Sequence, residues 1–513
     1  MEFGWLSILP PIIAIALALI TKEVISSLLI GILAGSLIYS HGNLIGMVET
    51  SFTVMGDKMA SNIFIVIFLG LLGALVVIVT KGGGSAAYGN WAIKKIKKRS
   101  SASIATAILG CIIFIDDYFN CLTVGTVMKP VTDKHRISRA KLAYLLDATA
   151  APICIIAPVS SWGASVATYI SEANMGNGMT TFIQAVPYNL YAILTIIMVI
   201  IICRTKIQYG PMAKFEKNAI EKNDLFSGNY PEGEESVSNQ LGDKGKVYDL
   251  VIPILSLIII SIISMIYTGG GFSGETGVFE SFGQCNSSLS LVLGSFGAIV
   301  VTFILYIPRK ILSFKAFMES INEGIRSMVG AYVILTLAWT IGGICSSEYL
   351  ATGEFVGYQV ATGGFPIAIL PFIIFLVAGF LAFATGTSWG TMALLIPIAG
   401  TICTTTNTPE LTLPILGAIL GGAVFGDHIS PISDTTILSS AGAGCNHLDH
   451  VSTQLTYAST VAACCAVGYL LMGVLDTFII PMIVSIVLLV GTLIILGKRS
   501  EKKNPIDYSH VNH

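Results

Sequence analysis

Long apolar runs alternate with short polar stretches along the whole chain. Residues 63–79, 182–203, 251–267, 289–307, 365–383 and 478–496 each come close to the roughly 20 residues an α-helix needs to cross the hydrocarbon core of a bilayer. By that criterion the pattern predicts an all-α polytopic membrane protein of about 11–13 transmembrane segments. The N-terminus enters apolar sequence at Leu6 without the basic region and small-residue cleavage site of a secretory signal, which predicts an uncleaved first span. Lys and Arg gather in 94–99 (KKIKKR), 129–141, 204–222 and 309–315, the kind of short basic stretch that stays cytoplasmic. Glycine-rich 268–277 and 361–364 read as extracellular turns.

One long polar segment, 204–246, with Pro231, Glu232, Gly233, Glu234 and Glu235 near its middle, separates two apolar blocks. Its composition cannot bury a core, so it reads as a flexible connector without a site. The expected organisation is a membrane half over 1–203, a cytoplasmic linker over 204–248, a second membrane half over 249–497 and a polar tail over 498–513.

Composition sharpens the class. Of the 513 residues 54% are hydrophobic and 11% charged, against about 25% charged in soluble domains, and no water-soluble surface can be built from that. Ten cysteines, mostly single and inside apolar runs, read as small packing residues. The chain carries neither G-x-x-x-x-G-K-[ST] nor H-E-x-x-H, so an ATP-driven pump and a zinc hydrolase are not indicated. A channel would need a repeated filter sequence, which is absent. The expectation is a transporter and no enzyme, without cofactor or nucleic-acid partner.

The chemistry is expected where hydrophobicity fails. Between residues 104 and 131 the apolar sequence is interrupted by Asp116, Asp117 and Asn120, and between 411 and 441 by Gly426-Asp427-His428-Ile429-Ser430-Pro431-Ile432-Ser433-Asp434-Thr435-Thr436. Asp147 stands alone in apolar 144–151. Carboxylates are costly in lipid and mark ion or proton paths. Hydroxyls at Ser430, Ser433, Thr435 and Thr436 add hard oxygen donors, and a proline break frees backbone carbonyls that can also hold a cation. Two further motifs match each other, Ser160-Ser161-Trp162-Gly163 and Thr387-Ser388-Trp389-Gly390, and read as a second set of hydroxyl ligands. An offset of 311 positions superposes Asp427 on Asp116 and Phe425 on Phe114, a thin repeat signal. Paired interrupted segments in two halves point to a midplane binding site. The basic residues of 134–141 and 498–503 suit the cytoplasm only if both broken segments enter from one side or one span is miscounted.

The stretch from Gly426 to Thr436 resembles the signature of the NhaC family of bacterial sodium/proton antiporters, within the ion-transporter superfamily, and length and hydropathy fit over nearly the whole chain. The resemblance implies two inverted repeats, each with a re-entrant hairpin and a broken helix. It places Asp427, Ser430, Ser433, Asp434 and Thr435 in the second half's site, with Asp427 and Asp434 as the sodium-holding carboxylates. The expected activity is Na+/H+ antiport by alternating access, sodium or lithium competing with protons at one site in a multi-pass cell-membrane protein. The alternative is an Na+- or H+-coupled antiporter of an organic anion or amino acid, of the malate/lactate type. Partners are then Na+, H+, the lipid bilayer and, in the alternative, the organic substrate. A homodimer is expected by superfamily resemblance alone.

Overall fold

The computed structural model describes residues 3–511 apart from 22–23, 115, 159, 174, 230–244, 274–276, 278–280, 282–284, 353–354, 356–357, 359–365, 407, 432, 476 and 504. The turn expected at 361–364 and most of the Pro/Glu stretch of the linker lie outside the described residues.

Every regular element among the described residues is helical. The first membrane block contains α1 (Leu9–Thr21), α2 (Val24–Tyr39), α3 (Leu44–Ser61), α4 (Ile63–Lys81), α5 (Gly84–Lys95), α6 (Arg99–Ile112), α7 (Asp117–Lys134), α8 (Arg139–Cys154), α9 (Ser161–Glu172), α10 (Gly178–Ala185) and α11 (Leu190–Arg204). After α12 (Gly210–Lys222) come α13 (Tyr248–Thr268), α14 (Ser287–Tyr306), α15 (Phe314–Ser327), α16 (Val329–Ile344), α17 (Leu370–Thr385), α18 (Ser388–Thr406), α19 (Thr412–Ile429), α20 (Asp434–Ala443), α21 (His447–Leu475) and α22 (Ile479–Lys503).

The chain is a multi-pass membrane protein whose spans are unequal. Six helices among the described residues are long and apolar enough to cross a bilayer, or up to eight when two bent pairs are each taken as one span. The bends are 119° between α2 and α3 and 52° between the α10 segment and α11. Shorter apolar helices, such as Arg99–Ile112 and Ile367–Phe383, meet their successors at breaks, which is where backbone groups become available to a solute.

Two four-helix units correspond. The helices α6, α7, α8 and α9 begin at residues 99, 117, 139 and 161, and α17, α18, α19 and α20 at 370, 388, 412 and 434, a displacement of 271 to 273 positions throughout. Packing respects the correspondence. Within each unit the first helix packs on the second and third, and the third on the second. Across the units α7 packs on α20 as α9 does on α18, and α8 packs on α21 as α19 does on α11. At the α7–α20 crossing Gly125 faces Gly442 so closely that a Cβ on Gly125 would meet the Gly442 backbone, the small-residue contact that lets membrane helices approach. The 311-position offset read from the sequence therefore aligns residues that are not equivalent: Asp116 corresponds to Thr387, and Asp427 to Cys154. The two acids differ in place because one stands before α7 and the other in the last turn of α19.

Part of the segment expected to be a featureless connector is folded. In α12, Glu216 is fully buried, ion-paired with Arg99 of α6 and with Lys141 of α8 at 3.2 Å, and accepts from the Ser138 N–H at 3.0 Å. Burial by itself raises a carboxyl pKa, but the two cations and their hydrogen bonds outweigh it and hold Glu216 down at about 2.

Candidate functional site

The breaks position the acids. The end of α6 is closed by Asn120, whose Nδ2 donates to the carbonyls of Gly110, Ile113 and Thr149 at 2.7, 2.9 and 3.1 Å. This expected ligand thus braces the backbone around the acids. Asp116 and Asp117 follow that break and are fully buried. Ser161 Oγ donates to Asp116 Oδ2 at 2.9 Å, and Trp162 Nε1 donates to Asp117 Oδ1 at 2.9 Å. Asp117 Oδ2 has no hydrogen-bond partner among the described residues.

The second unit contributes the complementary arrangement. Gly386, in the left-handed region at φ +65°, ends α17, a conformation a Cβ would strain. Two residues later Ser388 opens α18, and its hydroxyl donates to Asp427 Oδ2 at 2.7 Å and to the Ala423 carbonyl at 3.1 Å. The two Ser-Trp-Gly motifs, distant in sequence, meet through Trp162 and Trp389, whose ring centroids are 5.1 Å apart. Trp162 holds Asp117, and Trp389 follows Ser388, the donor to Asp427, so carboxylates from both units flank one buried contact.

Other expected ligands serve the breaks themselves. Ser160 accepts from the Gly163 N–H at 2.8 Å and donates to the Cys154 carbonyl at 2.7 Å. Thr387 accepts from the Gly390 N–H at 3.4 Å. Ser433 accepts from the Thr436 N–H at 3.3 Å and lies 3.0 Å from the Thr435 hydroxyl. Ser430 donates to the Phe383 carbonyl at 2.8 Å, tying the α19–α20 break to the end of α17. The bonds that Ser160, Thr387 and Ser433 accept from N–H groups are helix-capping bonds, the ordinary use of Ser and Thr at a helix start. Asp434 begins α20, and its side chain lies outside the described residues.

A second polar cluster adjoins the first. Asp147 of α8 is fully buried, and its Oδ2 accepts from Gln454 Nε2 at 2.5 Å, faces His450 Nε2 at 3.3 Å and accepts from the Thr436 hydroxyl at 3.5 Å. His428 Nε2 stands 3.9 Å from Asp147 Oδ1, while its Nδ1 meets the Tyr191 hydroxyl at 3.0 Å. Gln454 also donates to the His428 carbonyl at 2.8 Å, and Thr436 to that of Asp427 at 3.3 Å, so the clusters share a wall. The sequence reading overlooked Gln454, His450 and Tyr191. The signal for the first two was available: His450, Thr453 and Gln454 lie three and four apart on one face of a helix whose C-terminal half is apolar.

Among the described residues no three His, Cys, Asp or Glu side chains converge closely enough to hold a metal ion by themselves. A monovalent cargo ion needs less formal charge, and hydroxyl and carbonyl oxygens can complete its shell.

Comparison with known proteins agrees with this architecture. The profile described as the Na+/H+ antiporter family matches residues 153–474. An uncharacterised protein of Haemophilus influenzae is 40% identical over 483 residues, covering 91% of this chain and 90% of that protein. The chain is similar to the malate-2H(+)/Na(+)-lactate antiporter of Bacillus subtilis at 32% identity over 210 residues, 36% of this chain and 43% of that protein. A second Haemophilus influenzae protein, described as an uncharacterised Na(+)/H(+) antiporter, is 30% identical over 148 residues, 27% of this chain and 28% of its own. The chain belongs to the Na+/H+ antiporter family and is a membrane transporter of ions rather than an enzyme.

Proposed function

We propose that the protein exchanges sodium for protons across the cell membrane by alternating access, with the two corresponding four-helix units acting as inverted repeats around the site. The observation that carries this reading is that buried Asp116 and Asp117 of one unit and Asp427 of the other flank the Trp162–Trp389 contact, each unit's serine donating to a carboxylate of its own unit. Buried carboxylates in one another's field repel, and the repulsion falls when a proton or a cation binds. Sodium and protons therefore compete for the same oxygens. Asp116, Asp117 and Asp427 supply the charge, and the Ser161 and Ser388 hydroxyls orient two of the carboxylates. Breaks that begin at Ile113 and Ser430 bring backbone carbonyl oxygens nearby.

The test is dye-reported proton movement in proteoliposomes on addition of NaCl, LiCl or KCl, for the parent and for Asp427→Asn. Proton flux driven by sodium or lithium in the parent and lost in the variant supports the exchange; a parent that moves no protons under any of these salts sinks it.

A second reading has its own observation. Four helices, α7, α9, α18 and α20, begin at the site, and helix N-termini present N–H groups to anions. With the similarity to a malate/lactate antiporter, this favours an organic carboxylate moving with the ions. Adding malate, lactate or amino acids to the same assay decides: flux that appears only with the organic anion replaces the first reading.

A further inference from the structure

The cluster around Asp147 is not needed for the competition just described, yet it is as deeply buried as the carboxylates that are. Asp147, His428, His450 and Gln454 are all buried, the last two and Asp147 fully. Asp147 Oδ1, His428 Nε2, His450 Nδ1 and Gln454 Oε1 each lack a hydrogen-bond partner among the described residues. Four unmet polar atoms in one buried cluster would be costly in a merely structural network. The cluster offers a proton two ring nitrogens and a carboxylate oxygen, whereas a cation would find one carboxylate and the neutral oxygens of Thr436 and Gln454 together with two imidazoles.

We propose that Asp147 and His450, held by Gln454 and Thr436, form a proton-only site separate from the carboxylates that hold sodium. One proton entering the pair changes its net charge from negative to neutral without any cation entering. The electrostatic link to the sodium site is short: Thr436 touches both Asp147 and the Asp427 carbonyl, and His428 is the chain neighbour of Asp427. Sodium arriving beside Asp427 therefore disfavours the proton on the Asp147–His450 pair, and the proton's arrival disfavours sodium, the reciprocity that coupling requires. This adds a second proton acceptor to the exchange proposed above and rests on that reading.

The titratable groups facing the pair are His428 from α19, Tyr191 from α11 and Cys121 from α7, the last of which feels the Asp147 charge. Cys445, just before α21, lies beside the His450 backbone. From α20 the facing group is the neutral Thr436 hydroxyl. The charged residues that α6 and α12 bring to α8 are Arg99 and Glu216, which pair with each other, Glu216 also pairing with Lys141 nearer the start of the helix. His428 is held by Tyr191, and its titration is not required.

The experiment separates two fluxes in proteoliposomes: radiosodium/sodium exchange without a pH gradient, which needs no proton, and sodium-driven proton flux. Asp147→Asn is expected to keep sodium/sodium exchange within about twofold of the parent while sodium-driven proton flux falls about tenfold, the size of one lost charge-assisted hydrogen bond. His450→Gln, which retains a donor, is expected to keep both fluxes and to move the pH of half-maximal proton flux by about one unit. It decides the matter if Asp147→Asn does not assemble. Loss of sodium/sodium exchange in His450→Gln overturns the proposal, because the cluster then belongs to the sodium site or the fold. An unmoved pH profile in His450→Gln with undiminished proton flux in Asp147→Asn also overturns it. A parent that exchanges sodium for sodium but moves no protons overturns the antiport reading and this site with it, and is distinguished by needing no variant.

Discussion

The two four-helix units build one site by dividing its chemistry in opposite ways. In the first, the break before α7 supplies carboxylates, Asp116 and Asp117, and the start of α9 supplies the hydroxyl of Ser161. In the second, the break before α18 supplies hydroxyls, Thr387 and Ser388, and the end of α19 supplies the carboxylate of Asp427. Most equivalent positions thus carry unlike residues: Asp117 corresponds to Ser388, Ser161 to Asp434, Asp147 to Leu420 and Asp427 to Cys154, while the capping Ser160 and Ser433 are alike. Complementarity is what the difference teaches. Two units with identical acids at identical places would put excess charge into one buried volume, whereas acid in one and hydroxyl in the other gives each carboxylate a donor.

The bracing differs as well, and this yields the largest expected effect. Arg99 and Lys141 anchor the first unit to Glu216, whereas the corresponding Leu370 and Pro414 leave the second without such a tie. Glu216→Gln leaves two buried cations poorly paired and should destabilise the protein by about 3–5 kcal/mol, read as a fall in Tm in detergent. Because the Glu216 pKa is depressed to about 2, its stabilising contribution is complete above the unfolded carboxyl's pKa of about 4.3. That contribution is lost as the pH falls from there toward 2. The variant should lack this part of the acid sensitivity; equal acid sensitivity in parent and variant would show that the brace contributes nothing.

Next in size, Asp427→Asn should lower sodium-driven proton flux about 100-fold, as expected when about 3 kcal/mol of charge-assisted interaction is removed. Asp116→Asn should act similarly if both units feed one site; a variant at one position with parental flux would confine the chemistry to the other unit. Overpacking the crossing between units by Gly125→Leu should cost about 1–3 kcal/mol, seen as a lower Tm with diminished flux. A smaller effect is expected of Ser388→Ala, which removes one donor to Asp427 and should raise the sodium concentration for half-maximal flux about tenfold. Ser161→Ala, its counterpart, should match it within a factor of about three if the complementarity holds. The smallest effects belong to the caps: Ser160→Ala and Ser433→Ala should each cost about 1 kcal/mol of stability. Flux changes larger than their stability loss would place these hydroxyls on the ion.

Much of this was legible in the chain. The spacing of apolar runs gives the helices, because a bilayer-spanning helix must satisfy its backbone internally and cover itself with apolar side chains. The acids stood out because lipid makes a charge expensive wherever it occurs, and the Ser-Trp-Gly pair stood out by its own identity. The correspondence of helix starts at 271 to 273 positions was hidden because most of the positions it matches carry unlike residues, and self-comparison found instead the 311-position offset, which joins like letters. Glu216 was hidden in a segment whose composition suits a linker, since composition does not reveal a partner 117 positions away. His450 and Gln454 look unremarkable until α21 sets them against Asp147.

The sequence by itself determined that the chain is a bundle of apolar helices with acidic breaks, since hydrophobicity, charge and helix-breaking are properties of local stretches. Only the tertiary structure decided which acid meets which hydroxyl, and that Asp147 stands with two histidines apart from Asp116, Asp117 and Asp427. Those are contacts between residues tens to hundreds of positions apart, fixed by how helices pack and not by any pattern a single segment carries.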